Sequence, residues 1–369
     1  MLIIPIIYSV FSIVYILLIL QFILGWVKTK EYNQINYSGK TLASIILPVR
    51  NEEKHIADIV NDLLNQDYPN KLHEIIVIDD HSNDNTYNIV ENLCKSSEKI
   101  EILSLSDTSG KKAAIKKGIK FSKGSIIITT DADCRIKNFW LSTIISFYEK
   151  YKPKIIVGPV IINNEQNIFE QMQSLEFLSL IGSGAGAIAI NRAIMCNAAN
   201  LAFEKEIYKG NEHEKYQSGD DILLLLKLKK KFKKSIMFLK SSNATVSTSP
   251  QKSLKALFQQ RKRWTSKSRA YKDADIILTA LIVFITNFLL FVSFILMWTN
   301  KDFLLSFIII FFSKSIIDFI FLVKITKYFK KTYLLKIFIP LNFIYFFYIS
   351  IIAIIGNIGK YKWKNRLVG

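Results

Sequence analysis

The chain has 369 residues, of which 50% are hydrophobic, and a formal net charge of +19. This length allows one sizeable globular domain together with membrane segments. The positive charge suits nucleic acid, an anionic lipid surface or a phosphorylated substrate, and composition alone does not choose among them. The three cysteines, Cys94, Cys134 and Cys196, lie far apart without CxxC or Cys/His spacing. This pattern argues against a disulfide framework and a structural zinc site, and is typical of reduced cytosolic thiols.

An apolar run opens the chain. It extends from Leu2 to Val27 and exceeds the length of about 20 residues that a helix needs to cross a bilayer. No basic region precedes it and it has no small-residue cleavage site, so we interpret residues 1–28 as a transmembrane anchor rather than a cleaved signal peptide. Lys28 and Lys30 follow the run, and the positive-inside bias then predicts that the next segment is cytoplasmic.

Residues 41–248 have the pattern of a soluble α/β domain, in which short apolar runs alternate with helical stretches. The predicted strands are Thr41–Val49, Glu74–Ile78, Ile100–Leu105 and Ser125–Thr129. The predicted helices between them are Glu52–Asn65, Asp84–Lys95 and Lys111–Phe121. This alternation predicts βαβ units and a largely parallel sheet. Ligands of such sheets bind beyond the carboxyl ends of the strands, which is where the acidic motifs of this chain fall.

The C-terminal region, residues 275–359, has membrane character. Ile276–Trp298 and Phe303–Val323 are predicted spans joined by a short polar turn. A basic connector follows, and a last apolar stretch extends over residues 333–358. A cytoplasmic connector agrees with the positive-inside bias, but a single further crossing would place the basic tail, residues 360–369, outside.

Two features of these segments bear on their packing. Pro340 and Asn342 would allow a broken or re-entrant last segment, so both two and three C-terminal segments stay open. Lys314 and Asp318 lie four residues apart within one predicted span. Because charges within a bilayer are costly, we expect these two side chains to face protein or each other.

Residues 249–274 have the pattern of an amphipathic helix lying in the membrane interface. Within Gln251–Lys272, apolar residues fall on one side and basic residues elsewhere. Ile168–Ile190 is a second candidate for this role, and a buried core helix explains it equally well. A run of lysines over residues 227–234 is usually a solvated face, and it could also hold the domain against anionic headgroups.

The first acidic motif is Asp131-Ala132-Asp133, which follows the predicted strand Ser125–Thr129 almost directly. Two carboxylates two residues apart at a strand end can point toward one divalent cation that bridges two phosphates. Magnesium and manganese prefer such oxygen ligands. An acidic turn without function is common, so this motif is weak when taken alone.

The second acidic motif, Asp79-Asp80, ends another hydrophobic strand. Acidic side chains at a strand end can accept hydrogen bonds from a ribose or a base N–H. Ser82 or Asp84 could instead cap the helix that follows, and both interpretations can hold because the residues differ.

A third cluster ends the first predicted strand. Pro48 stiffens the exit of this strand, and Asn51 and Glu52 stand at a helix start. Ordinary helix capping is an equally good explanation for these residues.

Together, these clusters resemble glycosyltransferase family 2, with its GT-A fold. Three further motifs extend the resemblance over residues 44–264. Gly110-Lys111 resembles the family's Gly-Lys stretch, Gly219-Asp220-Asp221 resembles its acidic pair, and residues 260–264 match Q-x-x-R-W in full. The membrane arrangement is similar to that of members that act on lipids or build polysaccharides. The resemblance therefore implies an α/β GT-A domain and a nucleotide-sugar donor, either a UDP- or a GDP-sugar.

The resemblance also implies roles on the donor side of the site. Residues near the nucleotide would be Pro48, Asn51, Glu52, Asp79, Asp80 and Lys111. Asp133 and Asp131 would bind Mg²⁺ or Mn²⁺, and Asp131 would also approach the sugar. A metal together with Arg263 would stabilise the nucleoside diphosphate as its negative charge develops.

On the acceptor side, the resemblance implies that Asp221 is the general base, with Asp220 beside it. Such a carboxylate accelerates attack by an acceptor hydroxyl roughly 100- to 10,000-fold. Gln260, Arg263 and Trp264 would close over the diphosphate and the acceptor, and Asn200 could bind a sugar. Trp264 could also be an aromatic residue of the membrane interface. A single base without a carboxylate nucleophile implies inversion, an expectation that rests on the family.

These features favour an inverting, metal-dependent transferase that adds one sugar to a lipid at the cytoplasmic face of the inner membrane. A processive polysaccharide synthase is the alternative enzyme, although its polymer channel usually needs more spans than are predicted here. A non-catalytic basic membrane-bound binding protein is the alternative of another class. Against it, all the expected carboxylates are present, and no zinc finger or RNP-like aromatic motif occurs in the sequence. We therefore expect lipid or glycan acceptors and the membrane as partners, and no nucleic acid.

Overall fold

A computed structural model describes residues 3–34, 37, 39–208, 220–266, 271–355, 361–363 and 366–368. The helices, in chain order, are α1 (Ile3–Lys28), α2 (Ile56–Leu64), α3 (Thr86–Ser96), α4 (Lys111–Phe121), α5 (Trp140–Tyr151), α6 (Ile168–Ala189), α7 (Asp220–Phe232), α8 (Leu254–Thr265), α9 (Ala274–Leu296), α10 (Lys301–Tyr328) and α11 (Phe338–Ile355). The strands are β1 (Ala43–Val49), β2 (His73–Asp79), β3 (Ile100–Ser104), β4 (Ile126–Thr129), β5 (Cys134–Arg135), β6 (Ile155–Val157), β7 (Val160–Ile162), β8 (Leu201–Glu204), β9 (Ile236–Phe238), β10 (Val246–Thr248), β11 (Tyr361–Trp363) and β12 (Arg366–Val368).

The chain forms two compact units, and each is described by itself. The α/β unit comprises residues 29–163 and 191–249. The helical unit comprises residues 1–28, 164–190 and 250–369. Helix α6 therefore belongs to the helical unit, although it lies within the predicted range 41–248. The cause is the apolar character of its sequence, whose side chains pack against α1 and α10.

The α/β unit is built on a seven-stranded sheet in the order β3-β2-β1-β4-β8-β6-β9. Strands β3, β2, β1 and β4 are parallel, and β8 is antiparallel to both of its neighbours. Ile45, Ile46 and Leu47 of β1 are fully buried, as a central strand covered on both faces requires. A second sheet has the order β5-β10-β7. The predicted α/β class is confirmed, and the single reversed strand makes the sheet mixed.

The predicted βαβ units match the first half of this unit closely. Helix α4 has the predicted bounds, and the four predicted strands differ from those observed by one or two residues at either end. Helix α2 begins at Ile56 rather than at the predicted Glu52. The difference arises because the backbone after β1 is held in a loop by hydrogen bonds from the loop after β2.

The helical unit contains four helical segments long and apolar enough to cross a membrane, counted among the described residues. They are Ile3–Lys28, Ala274–Leu296, Lys301–Tyr328 and Thr332–Ala353. The last segment begins as a 3₁₀ helix, Thr332–Ile337, and continues as α11. In α1, apolar side chains such as Ile6 and Leu17 stay exposed, as expected of a surface that faces lipid. Backbone pairing of β11 with β12 forms a hairpin in the predicted basic tail.

Helices α1 and α6 approach closely at a pair of glycines. A Cβ atom added to Gly25 would lie 2.0 Å from the carbonyl oxygen of Gly186, and one added to Gly186 would lie 2.3 Å from the carbonyl oxygen of Phe22. Because both obstacles are backbone atoms, a larger residue at either position would force the helices apart. This contact of small residues is typical of helix packing in membranes.

The charged pair predicted within a span is confirmed as a contact. The ammonium of Lys314 lies 2.7 Å from a carboxylate oxygen of Asp318, and the Lys314 side chain is only 3% exposed. Tyr15 of α1 donates a hydrogen bond of 2.8 Å to Asp318, and Lys314 donates to Asn342 of α11. The pair therefore joins three helices of this unit.

We expect Asp318→Asn to destabilise the helical unit because it leaves the ammonium of Lys314 buried without a counter-ion. Breaking one side of a buried ion pair costs about 3–5 kcal/mol. Thermal unfolding in detergent micelles measures the change. The double variant Lys314→Met/Asp318→Asn should recover most of the loss, and a single variant as stable as the wild type would contradict the assignment.

Candidate active site

Hydrogen bonds join the loop that follows β1 to the loop that follows β2. The backbone N–H of Asn51 donates to the hydroxyl of Ser82 at 3.0 Å, and the N–H of Asn83 donates to the side-chain oxygen of Asn51 at 2.9 Å. The N–H of Glu52 donates to the hydroxyl of Thr86 at 2.8 Å. Asn51 is held at a φ of 51°, in the left-handed region. This strained backbone is maintained by the reciprocal bonds, which fix the predicted donor-side residues Asn51 and Glu52 at the edge of the sheet.

The sequence suggested Asp84 as a possible helix cap, and Asp84 lies one residue before the N-cap of α3, Asn85. Its carboxylate accepts hydrogen bonds from the backbone N–H and the hydroxyl of Thr86, the first residue of α3. Burial acts to raise the pKa of Asp84, but these bonds and one from Glu53 N outweigh it and lower the pKa. Asp84 therefore stays ionised and holds the helix start, which leaves Asp79 and Asp80 for other contacts.

Asp80 is buried at the end of β2 and binds protein groups. One carboxylate oxygen accepts a hydrogen bond of 2.9 Å from the backbone N–H of Gly110. The other lies 3.1 Å from Nδ1 of His81 and 3.9 Å from the guanidinium of Arg50. Gly110 has a φ of 98°, which a residue with a Cβ rarely adopts. Asp80 thus fixes the loop that leads to Lys111.

Asp79 differs from Asp80 in what its oxygens contact. Oδ2 accepts from the backbone N–H of Ser82 at 3.1 Å. Oδ1 is buried and has no hydrogen-bond partner among the residues that the structure describes. Leaving a buried carboxylate oxygen without a donor costs free energy, and a donor from a ligand would recover it. Pro48, half-buried, pairs with Ile78 immediately before this position.

The predicted metal motif lies in the turn between β4 and β5. The N–H of Cys134 donates to the carbonyl of Asp131 at 3.1 Å, which closes the turn and leaves Asp133 exposed. Lys111, the first residue of α4, forms an ion pair with Asp131. Lys111 and Asp131 are about 30% exposed, so solvent reaches both. The structure therefore brings together two residues that the sequence assigned to the donor side.

The donor set of this turn fits a hard divalent cation. Among the described residues there is no cluster of three or more His, Cys, Asp and Glu side chains placed to hold a metal. Burial, with the charges of Asp133 and Asp131, raises the pKa of Cys134, so this neighbouring thiol stays protonated. Mg²⁺ sites commonly use one or two carboxylates and complete their coordination with substrate phosphates. Asp131 and Asp133 are such a pair.

Asp221 is held at the same edge of the sheet. Its carboxylate accepts from the N–H of Ala198 at 3.2 Å, and the carbonyl of Ala198 accepts from the hydroxyl of Thr129 at 2.6 Å. Thr129 ends β4, two residues before Asp131. Asp221 is therefore linked through one residue to the strand that carries the acidic turn. The side chain of Asp220, and Gly219 before it, lie outside the described residues.

Asn200 does not have the role expected from its sequence. It is 1% exposed, and its amide nitrogen donates to the carbonyls of Pro159 and Ala244 at 2.8 and 2.7 Å. Its side-chain oxygen accepts from the indole N–H of Trp140 at 3.1 Å. With both amide protons used internally, Asn200 joins three segments of the α/β unit and is a structural residue rather than a sugar contact.

The Q-x-x-R-W motif lies on α8 of the helical unit and surrounds a residue that the sequence analysis did not select. The guanidinium of Arg261 donates to Gln260 at 2.8 Å and lies 4.3 Å from the centre of the Trp264 ring. It also donates to Glu176 of α6 at 2.7 Å and to the hydroxyl of Tyr348 of α11 at 3.0 Å. Trp264 thus covers a protein cation with the face of its indole ring.

Burial of Arg261 acts to lower its pKa, but the Glu176 carboxylate outweighs this effect and raises the pKa. Arg261 therefore keeps its charge, and the side chains of Arg261 and Glu176 are both less than 10% exposed. Sequence reasoning missed Arg261, Glu176 and Tyr348. One signal was present, because a glutamate within the largely apolar stretch Ile168–Ile190 needs a partner when it is buried. Arg263 and Gln260 are half-buried on the same helix.

A parallel sheet with polar loops beyond the carboxyl ends of its strands places this chain in the class of α/β proteins that bind ligands at this edge. Within that class, residues 44–209 match the family described as Glycosyl transferase family 2. The chain carries a glycosyl transferase family 2 domain, which confirms the resemblance seen in its motifs. The match ends before Asp221 and before the Q-x-x-R-W motif, so it gives no support to the roles expected of those residues.

Two curated relatives and one solved structure illustrate the similarity. Beta-monoglucosyldiacylglycerol synthase of Trichormus variabilis is 29% identical over 152 residues, which cover 40% of this chain and 32% of that protein. Poly-beta-1,6-N-acetyl-D-glucosamine synthase of Staphylococcus epidermidis is 32% identical over 153 residues, which cover 39% of this chain and 36% of that protein. The chain thus spans about a third of the length of these relatives.

The mannosyltransferase PcManGT from Pyrobaculum calidifontis, solved with GDP-Man and Mn²⁺, shares the fold over a greater length. It superimposes with a TM-score of 0.56 at 13% identity, covering 96% of this chain and 97% of that chain. At this identity the similarity shows the fold alone, and it confirms the predicted GT-A architecture.

Asn200→Asp tests the structural role of Asn200. The carboxylate removes both amide donors, which leaves the carbonyl of Ala244 buried without this donor and the carbonyl of Pro159 with only the N–H of Val246. Each unsatisfied group costs about 1–3 kcal/mol, so we expect a lower free energy of unfolding. Chemical denaturation followed by circular dichroism measures it.

Asn197→Asp is the matched control, because that side chain only accepts a hydrogen bond, from Ala199 N at 3.0 Å, and a carboxylate accepts it equally well. If Asn200→Asp kept full stability while raising the KM for an acceptor, a sugar-binding role would replace the structural one.

Proposed function

We propose that this chain is an inverting, metal-dependent glycosyltransferase that moves a sugar from a nucleotide-sugar to a membrane-associated acceptor. The observation that carries the proposal is the convergence of acidic groups at one edge of the sheet. Asp79 ends β2, Asp131 and Asp133 follow β4, and Asp221 is tied to the end of β4 through Ala198. Asp79, Asp131 and Asp133 lie within the residues that match family 2, and Asp221 follows them in the sequence.

The nucleotide would bind at the ends of β1 and β2. One oxygen of Asp79 has no hydrogen-bond partner in the part of the chain that the structure describes, and it suits an N–H donor of a base. Uridine and guanosine both present such a donor. Glu52 and Pro48 flank this position, and Asp80 holds the adjoining loop in place. The relatives support the donor class, since PcManGT was solved with GDP-Man and another neighbour, TarS, with UDP-GlcNAc. A UDP- or GDP-sugar is therefore the proposed donor.

Asp131 and Asp133 would hold Mg²⁺ or Mn²⁺ beside the diphosphate. When bound, the cation neutralises negative charge that develops on the leaving nucleoside diphosphate. Lys111 supports the same task, because its ammonium already lies against Asp131 and stands at the amino end of α4. The solution of PcManGT with Mn²⁺ favours a divalent cation here.

Asp221 would accept the proton of the acceptor hydroxyl as that oxygen attacks the anomeric carbon. The carbon–oxygen bond to the diphosphate breaks on the opposite side, which inverts the configuration. One of its oxygens accepts from Ala198 N and the other from its own helix at Ile222 N. These bonds orient the carboxylate and leave lone pairs for a proton. Asp220 is the neighbouring carboxylate, and the family resemblance assigns it a supporting part.

A lipid is the proposed acceptor, at the cytoplasmic face of the inner membrane. Four helices suited to crossing a bilayer support a membrane location, and Lys28 and Lys30 after the first favour a cytoplasmic catalytic domain. One relative is named for a glucosyldiacylglycerol product. The resemblance assigns Gln260, Arg263 and Trp264 to the diphosphate and the acceptor. The relative named for poly-N-acetylglucosamine supports a processive synthase as the second candidate.

The first test is sugar transfer by membranes that contain the protein. We expect label from one donor among radiolabelled UDP- and GDP-sugars to enter the lipid fraction when Mn²⁺ or Mg²⁺ is present. Asp221→Asn keeps the size of the side chain but removes the base, so transfer should fall roughly 100- to 10,000-fold.

Asp67→Asn is the control for this variant, because Asp67 is an exposed carboxylate of the same unit on the loop before the amino end of β2. It should leave transfer unchanged. Label in insoluble polymer would select the synthase instead. No transfer from any donor, with wild type and Asp221→Asn equal, would count against the proposal.

Asp133→Asn tests the metal. Loss of one anionic ligand should raise the Mn²⁺ concentration needed for half-maximal transfer, and Asp133→Glu should restore part of the affinity. Titration of Mn²⁺ at fixed donor, followed by transfer rate, measures the shift. Full activity of the wild type in excess chelator would remove the metal from the mechanism.

A further inference from the structure

The side chain of Arg261 is bound on every side within the helical unit. Its three nitrogens donate to Tyr348, Gln260 and Glu176, at 3.0, 2.8 and 2.7 Å. Its guanidinium carbon lies 4.3 Å from the ring centre of Trp264. Two of these four neighbours belong to the Q-x-x-R-W motif. The other two come from different helices, Glu176 from α6 and Tyr348 from α11.

The charges of this group determine its geometry. The side chains of Arg261 and Glu176 are 6% and 9% exposed, so water compensates neither charge appreciably. A buried guanidinium must keep its carboxylate partner, because an uncompensated charge is costly. The planar fork of arginine then fixes the directions of its remaining donors. Glu176 therefore decides where the guanidinium lies, and the guanidinium decides where Gln260 and the ring of Trp264 lie.

We propose that Glu176 is a positioning residue for the Q-x-x-R-W motif: it orients Gln260 and Trp264 through Arg261. Phe177, the next residue of α6, has its ring centre 6.2 Å from that of Trp264 and supports the indole from the same helix. This inference concerns the site of the proposed function, and the expected effect of Glu176 on the rate of sugar transfer rests on that proposal. Its structural part, the dependence of Trp264 on Glu176, is independent of any sugar transfer.

A second ion pair of the helical unit provides a matched control. Glu165 binds Lys331 at 2.7 Å and accepts from the hydroxyl of Tyr333 at 3.1 Å. Its side chains are 5% and 7% exposed, close to the values of the Glu176 pair. Like the Glu176 group, it contains a glutamate, a cation and a tyrosine, and Glu165 also accepts a hydrogen bond from the side chain of Ser174. Since Trp264 and Gln260 are not among its partners, Glu165→Gln reports the general cost of breaking such a pair.

The structural experiment uses the full chain in detergent micelles, labelled with fluorotryptophan. The fluorine resonance of Trp264 is assigned by its loss in Trp264→Phe. We expect Glu176→Gln to shift this resonance and Glu165→Gln to leave it in place. Tyr348→Phe removes one hydrogen bond to Arg261 and should give a smaller shift, which keeps the test open if Glu176→Gln folds poorly. An unmoved Trp264 resonance in both variants, or an equal shift in Glu165→Gln, overturns the inference.

The kinetic experiment measures transfer with the donor found active. A displacement of about 1 Å can cost about 100-fold in rate, so Glu176→Gln should lower kcat/KM for the acceptor by up to that factor. In the Trp264→Phe background, the effect of Glu176→Gln should shrink to within about twofold, since coupled residues are not additive. Full, additive effects in both backgrounds overturn the inference. An inactive wild type would contradict the proposed function. The fluorine experiment would then decide whether Glu176 positions Trp264.

Discussion

The carboxylate of Asp80 is the contact on which the geometry of the site edge depends. Loops at the carboxyl ends of parallel strands leave backbone groups without partners in the sheet, and buried groups of this kind must find them elsewhere. Asp80 is 2% exposed and accepts from the backbone of Gly110, while the guanidinium of Arg50 donates to its carbonyl. The loops after β1 and β2 and the loop before α4 are thereby joined at one residue. Lys111 and its partner Asp131 are placed as a consequence.

This arrangement explains why adjacent aspartates at the end of β2 differ in their contacts. Alternate residues of a strand point to opposite faces, so Asp79 and Asp80 cannot share one environment. Asp80 is engaged with protein groups, and Asp79 keeps one buried oxygen without a partner among the described residues. The sequence analysis assigned both residues to the base or ribose of the nucleotide. The hydrogen bonds favour Asp79 for that contact and give Asp80 the part of holding the loops.

Local sequence patterns were sufficient to predict the fold and most of the strand ends that carry the candidate site. Strands β1, β2 and β4 are continuous apolar runs that end in polar residues, and α4 follows a glycine that must adopt a positive φ, so their bounds could be predicted closely. Contacts between segments that lie far apart in the sequence could not be predicted in this way. Asn200 carries the side-chain chemistry of a sugar ligand, but its amide is used by Pro159 and Ala244, far away in the sequence. The membership of α6 in the helical unit likewise depends on packing against α1.

Buried charges in the helical unit are all placed in pairs where the structure describes them fully, and this bears on the choice of acceptor. Arg261 of α8 pairs with Glu176 of α6, and the Lys314–Asp318 pair within α10 is bound by Tyr15 of α1 and Asn342 of α11. Both pairs therefore restrict relative movement of the helices that they join. Where α1, α9, α10 and α11 meet, an apolar cluster is formed by Tyr8, Leu290, Ile310, Phe311 and Phe346, and Thr286, Asn287 and Ser293 of α9 are buried as well. A polysaccharide in transit needs a continuous polar passage, because each sugar hydroxyl that loses water must gain another partner. Transfer of a single sugar to a lipid needs only an acceptor headgroup at the membrane surface, so the proposed reaction requires no such passage between these four helices.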